Sequence, residues 1–187
     1  MKIKFSQEML TILSYARDEA MRTGSYGIGV DHVVLGMLRH RDNNACRALA
    51  ACGIDPDVLK EAIDARVFGE RAVPWQDQAL VRPTRAAAAL LSGAGYETLR
   101  HAQSIILSSH FLLALIRSEG SAAVEILRGR GLDYDRLYAL MREHRFVMPQ
   151  SGQQESLLPR MEDLLGPLGE QLTHLYGDIQ AKTNFIS

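Results

Sequence analysis

The amino-acid sequence contains an internal repeat, and this repeat restricts the fold more than any other feature. Residues 5–67 align without a gap on residues 83–145. Residues that start or stop helices recur together with apolar ones, which chance similarity between two Leu- and Ala-rich segments would not produce. We therefore expect two copies of one structural unit. The identical pairs include Ser14/Ser92, Ala16/Ala94, Glu19/Glu97, Arg22/Arg100, Ile28/Ile106, His32/His110, Leu35/Leu113, Arg39/Arg117, Ala45/Ala123, Leu49/Leu127, Gly53/Gly131, Asp55/Asp133 and Leu59/Leu137.

Each copy is predicted to form four helices, and the first two begin at polar residues. Ser6 and Thr84 carry hydroxyl groups that can accept a hydrogen bond from the first turn of a helix. Apolar residues at helical spacing follow them. After a polar loop at 23–29, the second helix is expected to open near Val30–Asp31 in copy one and Ser108–Ser109 in copy two.

The third and fourth helices are also marked by their ends. The third is predicted at about Asn44–Cys52 and ends at Gly53, or at Gly131 in copy two, because glycine readily adopts the left-handed conformation after a helix. The fourth is expected to begin at Asp55–Pro56, or at Asp133, as an N-cap followed in copy one by proline at the first helical position. Its predicted inner face comprises Val58 or Leu59, Ile63 and Val67.

The pattern predicts an all-α fold of two pseudo-symmetric four-helix repeats packed as one domain, followed by a C-terminal helical tail. No segment shows the sustained alternation that indicates a half-buried strand. The domain is expected to span 1–146, with repeat one at 5–67, a linker at 69–81 and repeat two at 83–145. Trp75 lies in this linker beside Pro74. We expect it to pin the linker to the core, because burying a large aromatic side chain is favourable.

Charge and cysteine content exclude several classes of protein. The 21 Lys and Arg residues nearly balance the 22 Asp and Glu residues, so no general field attracts nucleic acid or an anionic membrane. Cys46 and Cys52 lack the spacing of a disulfide scaffold, a zinc site or a redox pair, which fits a reducing cytoplasm. Residues 1–10 lack the apolar run of a signal peptide. The most apolar stretch, 105–116, is shorter than the about 20 residues that a membrane span needs.

Five segments of copy one carry a resemblance to a known family. They are Phe5-Ser6-Gln7, the stretch 16–20 (ARDEA), the stretch 27–36 (GIGVDHVVLG), Ala48-Leu49 and Gly53-Ile54-Asp55. Together they resemble the Clp repeat, which occurs twice in the N-terminal domain of the ClpA/ClpC unfoldase family. The family pattern Gly-Thr-Glu-His stands as Gly-Val-Asp-His in copy one and as Leu-Ser-Ser-His in copy two. The resemblance extends from residue 5 to about residue 145.

The resemblance implies a non-catalytic docking platform for protein substrates or adaptor proteins of an ATP-dependent unfoldase and protease system. The chain has no GxxxxGK[ST] phosphate loop and no Gly-Lys dipeptide, so we expect no enzymatic activity and no cofactor. It is either the amino-terminal piece of a longer unfoldase or a free-standing protein that kept the platform, in which case a Clp ATPase is a candidate partner.

The resemblance also implies a substrate or adaptor site at Val30, Asp31, Ser108 and Ser109. In ClpC-type relatives, the Thr-Glu pair at these two positions binds phosphorylated arginine. A carboxylate can take a guanidinium through paired N–H bonds, and the free N–H groups at a helix start attract phosphate. Asp31 keeps the charge, whereas Ser109 has lost it, so a weakened site is expected only in copy one. Alternatively, Asp31 and Ser109 are simple helix caps.

The recurring histidines, His32 and His110, invite a metal or catalytic role. No Asp, Glu or Cys recurs with them at a ligand spacing, and a histidine in the first turn of a buried helix usually bonds to backbone. We therefore expect a structural role and no metal site. Ser14 and Ser92 also recur, but neither lies in a GxSxG motif that would support nucleophilic catalysis.

The tail is not explained by the repeat. A polar linker is predicted at 147–156 and a helical tail at 157–187. Apolar residues follow a heptad from 158 to 179, but Gly166-Pro167 favours two helices, one ending near Leu165 and one starting at Pro167. These helices either pack on their own domain, pair with a second chain or lead into an ATPase module. The rival function is accordingly a free-standing helical interaction module that forms a homodimer through residues 157–179.

Overall fold

The computed structural model describes residues 3–147 and 158–165, and in this part of the chain it is helical as predicted. Two sets of four helices follow the two repeats, and a short 3-10 helix at Trp75–Leu80 lies in the linker between them. The helices of repeat one are α1 (Gln7–Arg22), α2 (Val30–His40), α3 (Asn44–Ala51) and α4 (Pro56–Val67). Those of repeat two are α5 (Arg85–Arg100), α6 (Ser108–Arg117), α7 (Ala122–Gly129) and α8 (Tyr134–Glu143). A ninth helix, α9 (Met161–Leu165), begins the tail.

The predicted helix ends are confirmed. The Oγ atom of Ser6 and the Oγ1 atom of Thr84 each accept the backbone N–H three residues further on, at 3.1 Å. Asp133 caps α8 in the same way, whereas the Oδ1 atom of Asp55, which precedes the proline at the first position of α4, accepts the Asp57 N–H two residues further on at 2.9 Å.

The glycines that follow the third helix of each repeat take the expected conformation. Gly53 has a φ of 78° and Gly131 a φ of 81°, in the region that side chains disfavour. On the inner face of α4, Leu59 and Ile63 are fully buried, whereas Val58 is 44% exposed. Leu59 is therefore the correct choice between the two predicted positions.

Four two-residue strands join the repeats, and the sequence did not predict them because two residues are too short to show alternation. They are β1 (Lys4–Phe5), β2 (Gly27–Ile28), β3 (Arg82–Pro83) and β4 (Ile105–Ile106). Strand β1 pairs in parallel with β4, and β2 pairs in parallel with β3. Each pair links the start of one repeat to the first loop of the other, so the repeats interlock around one shared apolar core.

The expectation for Trp75 is wrong. Its side chain is 71% exposed, and smaller groups hold the linker instead. Val73 and Val81 are buried, and the Val73 N–H donates to the Met21 carbonyl oxygen at 2.8 Å. Backbone bonding and two valines therefore fix this segment without the indole.

The described part of the tail packs on its own domain. Met161 is 1% exposed, its N–H donates to the Ile3 carbonyl oxygen, and the Phe5 N–H donates to the Pro159 carbonyl oxygen. Helix α9 reaches Leu165, the last described residue, so the predicted end of the first tail helix stays a prediction. The second predicted helix lies outside the described residues, so dimerisation through 157–179 stays a prediction. Within 3–147 and 158–165, no helix is long and apolar enough to span a membrane.

Candidate protein-binding site

Asp31, the acidic residue of the predicted site, joins the two repeats. Its Oδ2 accepts the Ala122 N–H at 3.0 Å and its Oδ1 accepts the Ala123 N–H at 2.8 Å. Both donors belong to the first turn of α7, where a negative charge is favourable. The N-cap of its own helix is Gly29. Asp31 is thus not the N-cap of α2, as the simple capping alternative supposed, but a cap supplied to the other repeat.

The equivalent place in the other half is filled differently. Ser108 Oγ accepts the Ala45 N–H at 3.0 Å, at the start of α3. Glu8 accepts the Asn44 N–H at 3.2 Å and the Ser108 N–H at 2.8 Å. Ser108 and Ser109 have no exposed surface, and the Ser109 Oγ has no hydrogen-bond partner within the described chain. Ser109 therefore caps no helix; the N-cap of α6 is Leu107.

Glu8 is a residue that sequence reasoning missed. It occupies the first turn of α1, where an acidic residue is ordinary and carries no special signal. Its partner Ser108 follows a hundred residues later, and nothing local marks that contact. Each interface between helix starts therefore contains one carboxylate, Asp31 in one place and Glu8 in the other.

Val30 lies at the edge of a groove between α5 and α6. The groove has a volume of about 310 Å³ and is mainly apolar. Val30 itself is half-buried and packs against the core. One predicted site residue, Val30, therefore lies on a concave surface, and Asp31 follows it in the sequence. Its apolar lining comprises Val30, Ala86, Ala89, Leu90, Gly93 and Ala114.

A second apolar groove, of about 280 Å³, lies between α1 and α5. It is lined by Leu10, Leu13 and Leu91 together with Leu164 and Leu165 of α9. The tail therefore already occupies part of this surface, whereas no described residue of the tail lines the groove beside Val30.

A buried carboxylate with two arginines recurs in each repeat and explains several of the aligned identities. In repeat two, Glu97 is 2% exposed and accepts from Arg117 Nη1 at 3.2 Å and from the Tyr134 hydroxyl at 2.7 Å. Arg100 Nη1 lies 3.7 Å from it. Desolvation and the hydrogen bond to Glu97 raise the pKa of Tyr134 to about 12. The Glu97 charge is thus already compensated by its neighbours.

The cluster of repeat one has the same plan. Glu19 is 3% exposed and accepts from Arg22 through Nε at 2.8 Å and Nη2 at 2.6 Å. Arg39 Nη1 lies 3.8 Å from Glu19. Because every charge in both clusters is paired, we assign them to stability and to positioning of the arginines.

The recurring histidines bond to backbone, as expected. His32 Nδ1 accepts the Gly29 N–H at 2.9 Å, and His110 Nδ1 accepts the Leu107 N–H at 3.0 Å. Burial lowers the pKa of His32 and lowers that of His110 to about 3, so both rings are neutral near pH 7. Across the described ranges, no three His, Cys, Asp or Glu side chains converge as a metal site would require.

The fold defines a duplicated all-α module built from two four-helix repeats. The family model described as the Clp repeat (R) N-terminal domain matches residues 4–130. The chain belongs to this family, as the repeat and its motifs indicated.

Relatives and solved structures agree with this assignment. The chain is 25% identical over 133 residues to the chaperone protein ClpB of Oceanobacillus iheyensis. It is 23% identical over 133 residues to the negative regulator of genetic competence ClpC/MecB of Bacillus subtilis. Each match covers 71% of this chain but 16% of the relative. This chain therefore corresponds to a small part of those proteins.

The fold is shared with isolated N-domains. The N-domain of ClpV from Vibrio cholerae matches with a TM-score of 0.64 and 15% identity, over 80% of this chain and 89% of that one. The N-terminal domain of ClpD from Arabidopsis thaliana matches with a TM-score of 0.58 and 15% identity, over 76% of this chain and 94% of that one. At this identity the likeness concerns the fold.

Proposed function

We propose that this chain binds protein substrates or adaptor proteins and presents them to an ATP-dependent Clp unfoldase or protease in the cytoplasm. The carrying observation is the apolar groove beside Val30, which is open to solvent. Apolar concave surfaces between helices are common binding sites for segments of other proteins. Family membership supports the same role.

The chemistry of the described residues suits binding rather than catalysis. The buried carboxylates Glu19 and Glu97 are paired with arginines, and burial raises the pKa of the Cys46 thiol to about 11. A thiol held protonated is a poor nucleophile. With a formal net charge of −1, recognition depends on local shape and apolar area, not on a general field.

The test is a fluorescence-anisotropy titration of the full chain with labelled, reduced and carboxymethylated lactalbumin, a permanently unfolded protein. Ala89 lies on the exposed lining of the groove, so Ala89→Arg should weaken binding at least about tenfold. Ala139 is an exposed helical alanine outside the groove, and Ala139→Arg is the matched control. The proposal fails if the wild-type chain does not bind or if the two variants bind alike.

Asp31 carries a second, narrower part of the proposal. Its carboxylate is partly exposed, and each oxygen accepts one backbone N–H from α7, which leaves a lone pair on each oxygen for a guanidinium. Calorimetric titration with a phosphoarginine peptide should show weak binding that Asp31→Ala removes. A residual copy-one site is refuted if the peptide does not bind, or if Asp31→Ala leaves its affinity unchanged.

A further inference from the structure

Two arginines that recur in the repeats have different partners in each repeat. In repeat one, Arg22 forms ion pairs with Glu19 and with Asp64 of α4. Arg39 Nη1 lies 3.9 Å from Asp18 Oδ2 and 3.8 Å from Glu19 Oε1. Three carboxylates therefore face two guanidinium groups, and this face of repeat one has a local excess of negative charge.

Repeat two keeps both arginines but only one of the three carboxylates. Glu97 is retained, whereas Tyr96 and Arg142 stand at the positions of the other two. The change to Arg142 replaces an anion by a cation. Three guanidinium groups and one carboxylate are thus found where repeat one has two guanidinium groups and three carboxylates. The aligned pairs are Arg22/Arg100, Arg39/Arg117, Glu19/Glu97, Asp18/Tyr96 and Asp64/Arg142.

Two stacked tyrosines of α8 order these arginines. The ring centroids of Tyr134 and Tyr138 lie 5.8 Å apart. The guanidinium carbons of Arg117 and Arg100 lie 4.1 and 5.6 Å from the Tyr134 centroid, and that of Arg142 lies 5.7 Å from the Tyr138 centroid. All three arginines are exposed. We call them the arginine patch. Because the rings already restrict the guanidinium groups, less side-chain freedom is lost when a ligand binds.

The arginine patch borders a concave surface of about 640 Å³, which is lined by Arg117, Arg128 and Tyr134. Arg128 is a further cation, because it aligns with Ala50 of repeat one. Its Nη2 donates to two backbone carbonyl oxygens, at 3.0 and 2.9 Å. These bonds fix the guanidinium group without neutralising its charge. The acidic residue on this surface, Asp133, is committed to the N-cap of α8.

We propose that the arginine patch binds an acidic segment of a partner protein through aspartate or glutamate carboxylates. Carboxylates accept paired N–H bonds from guanidinium groups, and the patch has lost the carboxylates that pair with its counterpart in repeat one. Arg117 also lines the groove beside Val30, so the two surfaces are continuous. The inference rests on the proposed function and names the partner chemistry, namely acidic residues that flank an apolar one.

A protein segment suits this patch better than nucleic acid does. The whole chain has a formal net charge of −1, and the aligned face of repeat one has a local excess of carboxylates. A long polyanion gains affinity by contacts of many phosphates with a wide basic surface. A short acidic segment needs only the few guanidinium groups of the patch.

The test follows the arginine Nε–Hε NMR signals of the full chain during titration with the capped peptide Gly-Asp-Glu-Asp-Glu-Gly. The neutral peptide Gly-Asn-Gln-Asn-Gln-Gly is the control ligand. The acidic peptide should shift the signals of Arg100, Arg117 and Arg142 saturably and bind at least about fivefold more tightly than the neutral one. Raising the salt concentration from about 50 to 300 mM should weaken it. Absence of shifts at the patch, or equal binding of the two peptides, would overturn the proposal. Tighter binding of an oligothymidylate of the same charge would overturn the choice of a protein partner.

Repeat one supplies the variant that should neutralise the patch. Arg142→Asp restores the carboxylate found at Asp64, which pairs with Arg22, so the variant should fold with its new carboxylate paired to Arg100. Affinity for the acidic peptide should fall at least about fivefold. Arg142→Gln removes the cation without adding an anion, and it must also weaken binding if Arg142→Asp does not fold.

The matched control is Arg136→Asp, which makes the same change of charge on the same helix. Arg136 is exposed and lies near Cys52 of repeat one, outside the patch. This variant should bind the acidic peptide within about twofold of the wild-type affinity. If Arg136→Asp and Arg142→Asp weaken binding equally, the net charge rather than the patch governs binding, and the assignment is wrong.

The two ligands separate this inference from the proposed function. If unfolded lactalbumin binds the wild-type chain but the acidic peptide does not, the acidic-segment site is refuted while the proposed function stands. If the acidic peptide binds at the patch but unfolded lactalbumin does not bind, the proposed function fails and the site for carboxylates remains.

Discussion

Replacing Asp31 with alanine should destabilise the domain, although Asp31 was first noticed as a candidate ligand for substrates. The substitution removes two hydrogen bonds from a carboxylate to the first turn of α7, at 3.0 and 2.8 Å. Hydrogen bonds to charged groups contribute about 1.5–3 kcal/mol each when buried, but the site is partly exposed and water can replace part of them. Loss of a helix cap costs about 0.5–2 kcal/mol, and Ser121, the N-cap of α7, is retained in this variant. We therefore expect a loss of about 2 kcal/mol.

The assay is urea unfolding followed by circular dichroism, with a thermal melt as a second readout. For a chain of this length, a loss of about 2 kcal/mol lowers Tm by about 4–8 °C. Asp135→Ala is the control, because Asp135 is an exposed acidic residue in the first turn of α8 and should cost less than about 0.5 kcal/mol. If Asp31→Ala is no more destabilising than the control, the cross-repeat cap does not contribute to stability.

Three further predictions follow from burial and backbone geometry. Because burial lowers the pKa of His110 to about 3 from 6.5, the stability it contributes is complete above pH 6.5 and is lost as pH falls towards 3. The free energy of unfolding, measured with urea at a series of pH values, should fall by up to about 1.4 kcal/mol per pH unit in this range. The variant His110→Gln should show a smaller pH dependence, and an unchanged pH dependence contradicts this assignment. Burial raises the pKa of the Cys46 thiol from 9.0 to about 11. At pH 8, Ellman's reagent should therefore react with Cys46 about a hundredfold more slowly in the folded chain than in the unfolded chain, and the half-buried Cys52 should react before Cys46. Equal rates for the two cysteines would refute this order. Gly53→Ala should cost about 1 kcal/mol at its φ of 78°, whereas Gly129→Ala at the end of α7, with open space around it, should be neutral or stabilising.

The helical plan was predictable because its signals are local. The caps Ser6, Thr84, Asp55 and Asp133 act on N–H groups within three residues, so their effect can be read from a short window of sequence. The strand pairs were not predictable, since β1 pairs with residues about a hundred positions away. The expectation for Trp75 was wrong because two buried residues, Val73 and Val81, already hold the linker on the core.

The site was only partly predictable. The alignment marked Val30 and Asp31 as belonging to a helix start, but it could not show that Asp31 caps the other repeat. The alignment gave no consistent signal for the groove. Tyr15 is replaced by the smaller Gly93, but at two other lining positions the larger Ala114 and Tyr96 replace Gly36 and Asp18.

Cross-saturation NMR tests the central claim most directly. Saturation is transferred from unlabelled, unfolded lactalbumin to the deuterated full chain, and the attenuated amide signals mark the bound face. We predict attenuation at Ala86, Ala89 and Gly93 on α5, beside Val30. Attenuation confined to the α1 side of the other groove, at Leu10 and Leu13, or no attenuation at all, would contradict the assignment of protein binding to this face.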